Sequence, residues 1–419
     1  MPPPPNKKPT GWEDLPTEIK VIIIHQLCDL GSLGALFHAS PTLYRSSGNN
    51  VREYTEAILA SGYVCGHTAV LFRLCALIQS GKLPVRTTKE FFERVTGEAM
   101  CYDARIVESP RGIAPRSLEE DVDPTVVRRL LMTAHRIQNL AGSCLQFYLA
   151  RFKTLRPESN PSWKRGRRKK KAVPYYFECI DGEPVGTPYK VQDLGGFEWE
   201  EEQRAIRAIW RVQLIYELKQ AVLTTRVLEW EDPQVLKSAP AIELPLGQDR
   251  VTPISFYGSR SDYNEYIYPV RSKIYVVRSL RYQGRNLPHP EYEEICSMAE
   301  FIRDQRGEGA GVSHRNGFLC LGQLKYKLSD PIPTLHPTPR VWRKLIDPTD
   351  ATLFYFFSRF NSAEGLPFRF KEFDHFAQFG FAFWSNIRMQ QYGFIPTNKT
   401  LRLISKACHA WYSITSQTP

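Results

Sequence analysis

The sequence predicts a mainly α protein: an amino-terminal module of three short helices, followed by a larger and irregular helical domain. Three observations carry that reading. Apolar residues return with a 3.6-residue period, most clearly in Val127, Leu130, Leu131, Ala134, Ile137, Ala141, Leu145, Tyr148, Leu149 and Phe152. Capping residues and prolines stand where such helices should start and stop. Strand patterns are confined to Lys273–Val277 and Tyr175–Phe177.

The elements follow in chain order. Residues 1–10 hold five prolines and two lysines and read as a disordered, Pro-rich tail. A helix is expected from Trp12 onward, with Asp14 as cap, Pro16 in the first turn and Glu18 near the positive end of the dipole. Its stripe is Ile19, Ile22, Ile23 and Leu27, with Val21 and Ile24 as a second apolar flank. The β-branched run Val21–Ile24 would also suit a strand; the proline-led start favours helix. A second helix opens at Ser32, runs through Leu33, Leu36 and Phe37, and ends before Pro41. Further helices are expected at 51–61, 67–80 and 88–96, the last with Thr87 and Glu90 in capping-box spacing and Gly97 as its stop. The longest covers 124–155, and another opens at Trp199 with Glu200, Glu201 and Glu202 and runs to about Leu228.

Composition narrows the function. The 419 residues are enough for two or three packed domains, and 42% hydrophobic with 24% charged residues are globular proportions. The net charge is +11, but Lys164, Arg165, Arg167, Arg168, Lys169, Lys170 and Lys171 supply seven of the 55 basic residues. Without them 48 basic residues face 44 acidic ones, a balance of only +4. That is not a surface built to coat nucleic acid, and no zinc knuckle, RNP aromatic motif or helix-turn-helix accompanies it. The run itself reads as a nuclear import signal, as a phosphate-contacting tether or as a solvated loop. The opening residues lack the apolar core of a secretory signal, and no stretch reaches the length of a membrane span, so the expected setting is intracellular, nuclear or cytoplasmic. Nine scattered cysteines without a Cys-x-x-Cys pair suit reduced thiols rather than disulfides or a zinc site.

Catalytic patterns are weak. Cys65 with His67 and Cys408 with His409 are too close in sequence to aim thiol at imidazole. Gly307–Gly311 lacks the third glycine of a dinucleotide loop, and no Walker A, Gly-x-Ser-x-Gly or His-Glu-x-x-His occurs. Glu119, Glu120, Asp121 and Asp123 read as a solvated loop. Arg204, Arg207 and Arg211 share one helix face and read as solvated, balanced by Glu200 and Glu201. Between Phe354 and Phe394, 15 of 41 residues are aromatic, a density that marks core before it marks a ligand-holding groove. Within it Phe373, Phe376, Phe379 and Phe383 keep helical spacing. No catalytic residue, metal ligand or cofactor is expected.

One pattern is more specific. Leu15-Pro16-Thr17-Glu18-Ile19 precedes an apolar helix, Leu27 to Leu33 follows, and a helix leads into Ala39-Ser40-Pro41 and the pair Tyr44-Arg45. From Trp12 to about Glu56 this resembles the degenerate F-box of many filamentous-fungal proteins. Two later patches, Glu200–Arg211 and Phe381–Arg388, resemble the remainder of the same group. The resemblance implies an F-box-like three-helix module that docks on the Skp-type adaptor of a cullin-type ubiquitin ligase. Carried over by position, the adaptor-binding residues are Leu15, Pro16, Ile19, Ile23, Leu27, Leu33 and Leu36. Gly31 and Ser32 stand where the better-defined family has an acidic residue.

The expected organisation is a tail over 1–10, the F-box-like module over 11–60, a helical region over 61–156, a basic Pro-flanked linker over 157–174 and a C-terminal helical domain over 175–419. Further Pro-rich loops are expected at 231–253 and 328–348. The expected function is a non-enzymatic substrate receptor with the adaptor and an unidentified protein substrate as partners. The alternative is a nuclear scaffold or nucleic-acid-associated protein that works through residues 164–171 and an importin-type receptor, its first helices purely structural.

Overall fold

In the computed structural model, helix is the prevailing state of the described residues. The structure describes residues 11–85 (except 49), 90–91, 117–118, 122–159, 164–165, 177–178, 187–223 (except 193), 265–270, 273–278, 290–305, 374–396, 407 and 409–414. These fall into two compact units, 11–143 with 209–223, and 144–208 with the described residues from 265 onward. The expected helix at 88–96 and the loops at 231–253 and 328–348 lie outside the described residues, apart from Glu90 and Phe91.

The first unit opens with a 3-10 turn, Trp12–Asp14, closed by Gly11 N donating to Asp14 Oδ2 at 3.0 Å. Asp14 therefore finishes this turn rather than capping the next helix. Pro16 is the cap residue of α1 (Thr17–His25), where its missing N–H costs nothing. Helix wins over strand in Val21–Ile24. Its cap differs again at α2 (Leu30–Ala39): Asp29, not Ser32, takes the helix start, accepting from Ser32 N at 2.6 Å and Ser32 Oγ at 2.7 Å. Ser40 then ends α2 and caps α3 (Pro41–Ser46), its hydroxyl accepting from Leu43 N at 3.1 Å. This six-residue helix was not expected; a buried serine cap followed by proline at the first position is sufficient signal for it. α4 (Asn50–Ala60) and α5 (Gly66–Gln79) match the helices expected at 51–61 and 67–80.

α5 is buried from Leu71 through Ile78, so it forms the centre of this unit. Phe72 meets Trp210 edge-on at 5.4 Å. Arg73, which this burial would otherwise leave uncompensated, pairs with Glu56, and Glu56 also accepts from Leu118 N at 3.0 Å. Helix α6 (Pro124–Phe152) starts where Asp123 Oδ1 accepts from Thr125 N at 2.7 Å. That backbone hydrogen bond holds the exposed Asp123 carboxyl below its ordinary range. The expected stripe of α6 is buried except Leu149, which is half-buried. α2 lies close on α6: a Cβ at Gly34 would fall 2.2 Å from the Leu131 carbonyl oxygen. Only glycine allows that approach.

In the second unit the C-terminal turns of α6 meet an aromatic core. Phe152 lies 4.3 Å from Tyr392 and 5.4 Å from Trp384, ring centre to ring centre. Trp411 closes the cluster against Phe376 at 4.7 Å and Phe381 at 5.2 Å, and its Nε1 donates to the Phe394 carbonyl at 2.8 Å. Tyr148 donates to the Ser297 carbonyl at 2.7 Å, and its burial raises the phenol well above its ordinary value. The described aromatic residues of the dense segment are thus core, except Phe379, which is half-buried. The segment is not one continuous helix: α9 (Asp374–Ala377) ends after a turn, and Gly380, at φ +73°, redirects the chain where a Cβ would strike Tyr148. α7 (Trp199–Leu223), α8 (Pro290–Gln305) and α10 (Asn386–Gln391) are further helices, and the described residues 407 and 409–414 are helical as well. α7 is described to Leu223; the expected extension to Leu228 lies outside the described residues.

Among the described residues three antiparallel two-stranded ladders accompany the helices. They are β1 (Glu158–Ser159) with β4 (Thr187–Pro188), β2 (Lys164–Arg165) with β3 (Phe177–Glu178), and β5 (Glu265–Val270) with β6 (Lys273–Arg278). The strand expected at Lys273–Val277 is β6; that expected at Tyr175–Phe177 meets β3 at Phe177, and Tyr175 and Tyr176 lie outside the described residues. The stretch 157–174, read as a bare linker, carries β1 and β2.

Candidate docking surface and buried charge network

The adaptor-contact candidates do not share one fate. Pro16 is exposed, Ile19 is 41% exposed, and Leu15, Ile23, Leu27 and Leu36 are half-buried. Leu33 is 0% exposed, a core residue that offers no surface to another protein in this conformation. The most exposed large aliphatic of the described residues is Ile22 at 56%, one turn from Ile19 and absent from the family-based set. Its signal was present in the stripe Ile19, Ile22, Ile23, Leu27; periodicity marks an apolar face without saying whether that face looks inward.

The inward side of α1 is carried instead by Ile24, 1% exposed. His25 meets Tyr54 of α4 edge-on at 5.9 Å. Behind the module, Gly31 and Gly34 seat α2 on α6. His135 of α6 is half-buried there with Asn139 at 3.3 Å; burial pushes its imidazole below the ordinary value and the Gly31 backbone opposes that shift. Gly31 thus has a packing role against Gln138 of α6. Tyr44 keeps 38% exposure, and the Arg128 guanidinium lies 5.3 Å from its ring centre. Arg128 also donates to Gly48 O at 3.1 Å.

The basic run is described only at Lys164 and Arg165, which form β2; Arg167, Arg168, Lys169, Lys170 and Lys171 lie outside the described residues. Of the acidic set at 119–123, Asp123 is the exposed cap of α6, and Glu119, Glu120 and Asp121 lie outside the described residues.

The arginines of α7 overturn the solvated-face expectation. Arg204, Arg207 and Arg211 are all buried. Arg207 holds Glu294 of α8 with Nε to Oε2 at 3.2 Å and Nη2 to Oε1 at 2.5 Å. Arg204 pairs with Glu200 and donates from Nη1 to the Trp384 carbonyl at 2.6 Å. Arg388, 0% exposed like its partner, grips Glu201 through Nε to Oε1 at 2.7 Å and Nη2 to Oε2 at 2.9 Å. Burial lowers the Arg388 proton affinity, but the hydrogen bond and charge of Glu201 outweigh it and hold the guanidinium above its ordinary range. Glu201 also accepts from Ser385 N and Glu198 N, each at 3.0 Å. The two patches that sequence set apart, Glu200–Arg211 and Phe381–Arg388, therefore meet here. Helical spacing placed the arginines together but could not reveal the partners that make burial tolerable.

Among the described residues no group of three or more His, Cys, Asp or Glu side chains is placed to hold a metal ion, and no helix is long and apolar enough to cross a membrane. No family model matches the chain, and neither curated proteins nor solved structures contain a match to it.

Proposed function

We propose that the chain is a non-enzymatic substrate receptor, in which α1 and its Leu15-Pro16 lead-in dock on a Skp-type adaptor of a cullin-type ubiquitin ligase. The larger helical region then holds a target protein, and the contribution to ubiquitin transfer is proximity. The observation that carries this reading is the outward Ile19–Ile22 ridge on a short helix whose Ile24 is sealed. Covering a large aliphatic side chain is worth about 1.5–3 kcal/mol, and central anchors of an interface cost about 2–4 kcal/mol when removed.

Binding of the full chain to purified Skp-type adaptor tests the proposal. An Ile19→Asp, Ile22→Asp variant should keep its thermal unfolding profile and lose adaptor binding. Wild-type protein that does not bind, or a variant that binds as well, removes the receptor role. Leu33→Ala serves as contrast: it should lower thermal stability, by about 2–5 kcal/mol, because its cavity lies inside the chain.

A further inference from the structure

We infer that Glu198, Glu201, Ser385 and Arg388 form an acid-tightened clasp holding the segment around α10 on the first turn of α7. The basis is a balance of charges and hydrogen bonds. Glu198, Glu200 and Glu201 converge here, and the cations facing Glu198 are Arg204 and Arg388. Arg204 pairs with Glu200 and Arg388 with Glu201, so both cations have a carboxylate of their own. Glu198 is engaged by the Ser385 hydroxyl, which also accepts from Arg388 N at 3.1 Å and so caps α10. Arg388 Nη2 ties the same site to the Gly196 carbonyl at 2.6 Å, and Tyr392 flanks the guanidinium from the far end of the segment.

A neutral Glu198 keeps the Ser385 bond, because its carbonyl oxygen still accepts the hydroxyl proton. Ionised, it gains no hydrogen bond, loses hydration and meets the Glu201 charge. The protonated form is therefore the one the folded clasp prefers. Burial, then Glu201, raises the Glu198 carboxyl above its ordinary value of 4.5, while the Ser385 bond, Arg388 and Arg204 pull the other way without cancelling the rise. For a carboxyl raised on folding, the favourable contribution is complete below the unfolded value and is lost as pH climbs through the folded one. Mild acidification should tighten the clasp, and alkalinisation loosen it.

Hydrogen–deuterium exchange of the full chain from about pH 5 to about pH 8, corrected for intrinsic exchange, reads this directly. Peptides covering 381–394 should open severalfold more at the upper end, while peptides from α5 report any global effect. Glu198→Gln, a neutral isostere, should be as protected at every pH as acidified wild type. A wild-type segment indifferent to pH overturns the inference. So does a Gln variant that follows the wild-type pH dependence, or one that fails to fold, since the neutral side chain should be tolerated at least as well as the carboxylate.

Discussion

Arg388 and Glu201 show how much of this protein rests on single side chains. Both are 0% exposed, and Glu201 accepts two guanidinium and two backbone hydrogen bonds. Arg388→Met strands that carboxylate in the core, and truncating one partner of a buried pair costs about 3–5 kcal/mol. Denaturant unfolding should show a loss of that order. Adding Glu201→Gln should recover part of it, since the amide is neutral but its single oxygen cannot serve both backbone donors. Gly34 works by what it lacks. A Cβ there would sit 2.2 Å from a backbone oxygen of α6, which has no side-chain freedom with which to yield. Gly34→Ala should therefore destabilise by about 1–3 kcal/mol, read as a lower unfolding midpoint.

Helix α1 is the element in which sequence and structure divide most instructively. Its aliphatic stripe and its proline-led start were legible, but its bounds were not: the helix begins at Thr17 behind Pro16 rather than behind Asp14, and ends at His25, short of Leu27. Which flank of it faces solvent was not, because hydrophobicity is the same property on both sides of a helix. Packing of α1 and α2 against α4 assigns Ile24 and Leu33 to the core and leaves Ile19 and Ile22 outside. α7 teaches the converse. A row of arginines normally marks a wet face, yet here Glu200 and Glu294 neutralise Arg204 and Arg207 within the interior. Glu294 lies 87 positions from Arg207, beyond the reach of any window-based reading.

At the scale of the whole molecule, the charge excess and the apolar ridge make separable demands on ionic strength. An adaptor complex built on Ile19 and Ile22 should change little in affinity over a roughly tenfold rise in salt, whereas phosphate contacts from residues 164–171 would weaken steeply and linearly on a logarithmic scale. Titrating the adaptor complex with salt distinguishes the receptor from the nucleic-acid-associated alternative. A steep loss would move the function to the basic run.

By itself the sequence determined the local order of this chain: mainly α, with helix spans anchored by caps, prolines and a 3.6-residue period, and an aromatic segment destined for a core. Those properties depend on neighbours within a few turns, so they are written in adjacent letters. Tertiary structure alone decided the sealing of Leu33, the outward turn of Ile22, the close seat of Gly34 on α6 and the burial of three arginines. Each of these depends on which distant surface arrives to exclude water or to supply a countercharge, and that arrival is a property of the folded chain.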